Sequence, residues 1–149
     1  MNEEYKGDLL VSAIKHRQSN VVRELLSDGV DPSKFVNREL PLNIAIENGD
    51  VEMVKILLEH GVNCNPQVFY PLYPLRICVD LVIKSKNLDE ENPYVIILQL
   101  LIKNGSDAKK LVDANYSEKS LSPVSGLSTL LRRYGWYDIF ERVSHGGPP

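Results

Sequence analysis

Leu40–Asn65 reads LPLNIAIENGDVEMVKILLEHGVNCN, and it describes two short antiparallel helices. Pro41 suits the first helical position, where its fixed φ fits and no N–H is needed. Leu42, Ala45 and Ile46 follow at helical spacing. Asn48-Gly49-Asp50 interrupts the pattern as a turn. Val54, Leu57 and Leu58 form a second apolar stripe, and Gly61 stands where a helix ends on a left-handed residue that satisfies leftover carbonyls. Neither helix can bury its stripe alone, so the unit calls for neighbours of the same kind.

The neighbours are present. Leu25-Leu26-Ser27-Asp28-Gly29, Leu57-Leu58-Glu59-His60-Gly61 and Leu101-Ile102-Lys103-Asn104-Gly105 each place two aliphatic residues, two others and a glycine in the same order. Val21-Val22, Met53-Val54 and Ile97-Leu98 precede them at matching offsets. Gly29 and Gly61 are 32 residues apart, and Gly61 and Gly105 are 44 apart, which is one period of about 33 with 11 residues inserted.

This pattern resembles the ankyrin repeat family, whose motif sets Thr-Pro-Leu-His at the start of the first helix, two small residues within it, a Gly between helices and Leu-Leu-x-x-Gly at the end. Here Leu-Pro-Leu-Asn, at residues 40–43, stands in the tetrapeptide's place. The resemblance covers Leu9–Asn65 and Tyr73–Asp107. It implies an all-α ankyrin-repeat solenoid of about four helix–turn–helix repeats with projecting β-turn fingers. Expected repeats are residues 7–36, 37–66, 67–107 and a diverged cap at 108–143, all in one domain over 1–143, with a disordered tail at 144–149.

Taken in order, Met1–Lys6 reads as a frayed end, and Asp8 as the cap of a helix burying Leu9, Leu10, Ala13 and Ile14. Arg17-Gln18-Ser19-Asn20 forms the first inter-helix turn without the family's glycine, so a wider or strained turn is expected. The second helix is expected to bury Val21, Val22, Leu25 and Leu26. In the third repeat, Leu75, Cys78, Val79 and Val82 continue a helix, with Cys78 where the family keeps a small buried residue. The insertion falls at Ile83–Pro93, expected as an extension of that helix and then an acidic loop. This loop is either neutral decoration or, through Asp89-Glu90-Glu91, a contact for a basic partner. The helix from about Tyr94 to Asn104 is apolar nearly all round, as expected of an interior element. Leu127, Leu130, Leu131, Ile139, Phe140 and Val143 are the apolar residues of the expected cap, where Trp136 and Tyr137 are either packing residues or partner anchors.

Composition narrows the function. The chain has 149 residues, 43% hydrophobic and 25% charged, with net charge −3 and pI ≈ 5.6. That fits one domain and lacks the basic excess needed to track a phosphate backbone, so no nucleic acid is expected. No apolar run is long enough to span a bilayer. MNEEYKGD is not a secretory leader, and Cys64 and Cys78 form no disulfide framework. A cytoplasmic setting is expected, or a nuclear one, with both thiols reduced.

Chemistry is sparse. His60 and Cys64 have metal-sharing spacing, but Gly61 breaks the helix between them and zinc needs three or four ligands. No nucleophile stands beside a positioned base, and no glycine-rich phosphate loop is present. No catalysis, metal or cofactor is expected. The resemblance implies instead a protein partner gripped by fingers and first helices. Carried over residue by residue, the candidates are Val36, Asn37 and Glu39 from one finger, Phe69, Tyr70 and Leu72 from the next, and Lys15, His16, Glu47, Asn48 and Asp80 from the first helices. Phe69 and Tyr73 either anchor a partner or tuck beneath the finger. Small stand-alone ankyrin proteins of viruses and intracellular bacteria include inhibitors that mimic host regulators, so an inhibitor of a host regulatory protein is one expectation. A structural or regulatory subunit of a larger complex is the other, the chain being a monomer or part of a hetero-complex.

Overall fold

A computed structural model describes residues 2–68 and 72–107, and everything structural below concerns those residues. The helix pair that the opening stretch specifies is α3 (Pro41–Glu47) and α4 (Val51–Glu59). Pro41 opens α3, and every residue from Pro41 to Ile46 is buried. Gly49 takes φ 62, and the Asp50 N–H donates back to the Ala45 carbonyl at 3.1 Å, closing the turn. The Asp50 carboxylate then caps α4 by accepting from the Met53 N–H at 3.1 Å. At the far end Gly61, at φ 79, donates to the Leu58 carbonyl at 3.0 Å, and the Val62 N–H donates to the Leu57 carbonyl at 3.1 Å. These two bonds satisfy carbonyls that a helix end leaves unpaired.

The same pair of bonds recurs at Gly29 and Gly105, so the three copies of the motif end their helices identically. The helices are α1 (Glu3–Lys15) with α2 (Ser19–Ser27), α3 with α4, and α5 (Pro74–Ser85) with α6 (Pro93–Lys103). First helices stack in the order α1, α3, α5, and second helices in the order α2, α4, α6. Equivalent side chains therefore form rows through the core: Leu10, Leu42 and Leu75; Ala13, Ala45 and Cys78; Ile14, Ile46 and Val79, none more than 2% exposed. The described residues are all-α, their one extended feature being an isolated antiparallel bridge between Val36 and Glu39. No helix among them is long and apolar enough to cross a membrane. Loops are tied across repeats: the Asn63 N–H donates to Ser33 Oγ at 2.8 Å, and Asn65 Nδ2 donates to the Gly105 carbonyl at 2.9 Å.

Three expectations need correcting, and a fourth, the wider or strained first turn, is decided as strained. Glu3–Lys6 is helical, not frayed, because the Asn2 side chain caps α1 by accepting from the Tyr5 N–H at 2.7 Å, with Glu3 and Glu4 placed favourably in the first turn. Asp8 accordingly lies inside α1 and caps nothing. Gly7 is tolerated mid-helix, since a Cβ there would stand 3.1 Å from a Val36 methyl. The first inter-helix turn is no wider than the second: Arg17 takes φ 57, the Gln18 N–H returns to the Ala13 carbonyl at 2.8 Å, and α2 starts at Ser19. A non-glycine residue there is strained, and the Arg17 guanidinium compensates by donating to the Asn48 carbonyl at 2.7 Å and lying 3.9 Å from Asp50. Finally, Val21 is 40% exposed, because the buried stripe of α2 passes through Val22 and Leu26.

In the third repeat the insertion is divided as expected between a longer first helix and a loop. α5 has 12 residues where α3 has 7. α6 buries Val95, Ile97, Leu98 and Leu101, while Ile96, Leu100 and Ile102 are half-buried. The expected cap at 108–143, with Trp136 and Tyr137, and the tail at 144–149 lie outside the described residues.

Candidate functional site

A two-residue hairpin turn of type I′ needs positive φ at both central positions. Asn37 and Arg38 supply it, at φ 51 and 67, between Val36 and Glu39, which exchange backbone hydrogen bonds of 2.9 Å each way. This is the finger preceding α3. Asn37 Nδ2 reaches back to donate to Asp8 at 3.2 Å, and Lys15 Nζ forms an ion pair with Glu39 Oε1 at 2.9 Å. The finger is thus held against α1 by two polar contacts. Exposed ion pairs contribute little stability, but these fix where the finger side chains stand.

The helix register places Lys15, Glu47 and Asp80 two residues after Ala13, Ala45 and Cys78, so all three occupy the same position in successive repeats. Lys15 and Glu47 are exposed and Asp80 is half-buried, 3.9 Å from Arg76. Burial, and then the Glu39 charge, push the Glu47 carboxyl above its ordinary value. Burial also raises Asp80, against the lowering influence of Arg76 and Lys84. His16 caps α1, its Nδ1–H donating to the Ser12 carbonyl at 2.8 Å. Asn48 is half-buried, its carbonyl taken by Arg17. Leu72 is half-buried, and its carbonyl accepts from Asn43 Nδ2 at 2.8 Å. Phe69 and Tyr70 lie outside the described residues. Of the residues the sequence reading names, Lys15, Asn37, Glu39, Glu47 and Leu72 gather around one finger, His16 and Asn48 serve the helix ends, and Asp80 lies beside Arg76 of its own helix.

Three residues of this face escaped that reading. Phe35 is 42% exposed beside the finger, Arg38 forms its turn, and Asn43 is buried beneath it. Together with Glu39, Glu47 and Leu72 they line a cavity of about 70 Å³. Asn43 had a signal, since it fills the fourth position of the helix-opening tetrapeptide. Phe35 had none beyond being an aromatic residue in a loop.

A raised carboxyl destabilises the folded state once it ionises. Below its unfolded value, about 4.3, Glu47 contributes nothing. As pH climbs through its folded value it costs stability. Glu47→Gln is therefore expected to melt on the order of a degree or two above the parent at pH 7, with the difference closing towards pH 4. Thermal melts of both proteins across that range check this, and a parent that gains on the variant with rising pH contradicts it.

The two cysteines lie in the core of the described residues. Cys78 is fully buried, its thiol donates to the Tyr94 carbonyl at 3.3 Å, and burial pushes its pKa far upward, which suppresses thiolate. Burial also raises Cys64, and both cysteines are free thiols. Among the described residues, no group of three His, Cys, Asp or Glu could hold a metal ion.

A family model for ankyrin repeats in three copies matches residues 1–68. Residues 1–68 carry ankyrin repeats. It is also 30% identical over 121 residues to an ankyrin repeat protein of fowlpox virus (strain NVSL), an alignment covering 67% of this chain and 17% of that protein. This chain therefore spans under a fifth of the relative's own length. Ankyrin repeats are in general non-enzymatic modules of protein–protein interaction, and the finger-and-first-helix face carries exposed side chains held by polar contacts.

Proposed function

We propose that this chain binds a protein partner without catalysis, on the face built from the Val36–Glu39 finger and the exposed positions of α1, α3 and α5. In this reading it inhibits a host regulatory protein in the cytoplasm or nucleus. The observation that carries the binding face is the row Lys15, Glu47, Asp80, one residue per repeat, with Asn37 and Glu39 pinned beside it. Side chains already held in place lose little conformational entropy when a partner arrives. Solenoids present such surfaces because each repeat adds the same position to the same side. The poxvirus relative supports a host-directed role.

A benzophenone photocrosslinker tests the face. Placed at Asn37 it is expected to capture a protein from eukaryotic cell extract; placed at Lys55, an exposed residue of α4, it is expected to capture none. Equal capture from both positions, or capture from Lys55 alone, rejects the face. Loss of the captured protein's activity on stoichiometric addition of this chain supports inhibition, whereas a fixed complex with full activity supports the role of a subunit.

A further inference from the structure

The outward side of the second helices changes character at α6. Counted back from the terminal glycines, Asn20, Arg23 and Ser27 of α2 hold the same positions as Glu52, Lys55 and Glu59 of α4. The corresponding residues of α6 are Ile96, Gln99 and Lys103. All six residues of α2 and α4 are polar and exposed, whereas Ile96 and Gln99 are half-buried.

Stacking of repeats does not account for this. α4 is flanked by α2 on one side and α6 on the other, yet Glu52, Lys55 and Glu59 stay exposed. A further repeat stacked in line beyond α6 would leave position 96 in water in the same way. Among the described residues, Leu100 and Ile102 pack against the core cluster, and Ile96 is not one of those that do. An apolar side chain is stabilising only where something removes it from water. An isoleucine at the position where α4 carries a glutamate therefore calls for a cover laid across the outward side of α6.

We infer that this side of α6 is an intramolecular docking surface, and that its occupant is the segment 108–143 of the same chain. The segment holds Leu127, Leu130, Leu131, Ile139, Phe140 and Val143, apolar residues that need a surface to cover. Its point of departure is fixed, because the Asp107 N–H donates to Asn65 Oδ1 at 2.8 Å. α6 has 11 residues, a length of about 16 Å that about five extended residues span, so the segment reaches Ile96 with chain to spare. A tethered segment acts at an effective concentration on the order of millimolar, which favours it over a second copy of the chain or a separate protein. The inference differs from an in-line fourth repeat, and it does not depend on the partner-binding face, which lies on the finger and the first helices.

Two measurements on the full chain test it. A benzophenone group placed at Ile96 and irradiated in dilute purified protein is expected to give a crosslinked monomer whose joined peptide, read by mass spectrometry, falls within 108–143. The same group at Lys55 is expected to give no such product. A covalent dimer, a crosslink confined to α1–α6, or no crosslink from position 96 overturns the inference. Ile96→Glu installs the side chain that α4 carries at this position. It is expected to speed hydrogen exchange in peptides from 127–143 about tenfold and to leave those of α1–α4 unchanged, while Lys55→Glu alters neither. Exchange in 127–143 that is the same in Ile96→Glu as in the parent also overturns the inference. Should Ile96→Glu not fold, the crosslink decides alone.

Discussion

Leu57→Asp is expected to abolish cooperative unfolding of the described helices. Leu57 is fully buried in α4, within a core cluster continuous from α1 to α6. Truncating such a residue alone costs about 2–5 kcal/mol. An unpaired carboxylate in its place adds several more, against a total stability on the order of 5–15 kcal/mol. The second repeat sits between two others, and each repeat contacts only its neighbours. Its loss strips the inner faces of α1 and α5 together. Circular dichroism during a urea titration checks this. Lys55→Gln, two residues away on the exposed side, is expected to change stability by less than about 0.5 kcal/mol. A Leu57→Asp chain that melts cooperatively at the parent temperature would contradict the packing.

Asn92→Ala is expected to cost about 2–4 kcal/mol and to lower the melting temperature by roughly 10 °C or more. The Asn92 side chain caps α6 by accepting from the Tyr94 N–H at 3.0 Å. Its Nδ2 donates to Ser85 Oγ at 2.9 Å and to the Asn87 carbonyl at 2.6 Å. One side chain, 7% exposed, therefore joins the end of α5, the inserted loop and the start of α6. Tyr94, just beyond the cap, packs against Gly49, and its hydroxyl donates to the Glu47 carbonyl at 3.5 Å. Asn92→Asp keeps the cap and loses the donors, so an intermediate loss is expected. Melts of Asn92→Ala within a degree or two of the parent would show the loop to be held by something else. The latch gives the end of the insertion a structural role that neither sequence reading of it foresaw. The acidic residues Asp89, Glu90 and Glu91 remain exposed.

The misreadings have distinct physical causes. Asn2 was taken as part of a loose end because nothing before it marks it as a capping residue. The choice between a wider and a strained turn at Arg17 was left open because its compensation comes from Asn48 and Asp50 in the next repeat. Val21 was counted as core because two adjacent valines cannot be ranked until the direction of the neighbouring helix is known. The partners of Arg17 lie in the next repeat, whereas the Asn2 cap is local to α1.

By itself the sequence determined the helix pairs, their glycine-ended geometry and the period that stacks them. Those signals are local: the bonds at Gly61 join it and Val62 to Leu58 and Leu57, within five residues, and an apolar stripe is set by helical spacing alone. Only the tertiary structure decided which polar residues meet. Lys15 and Glu39 are 24 residues apart, and Asn43 and Leu72 are 29 apart. Their contact depends on how far each repeat is displaced from the last, a quantity that side-chain packing sets and no short stretch of chain encodes.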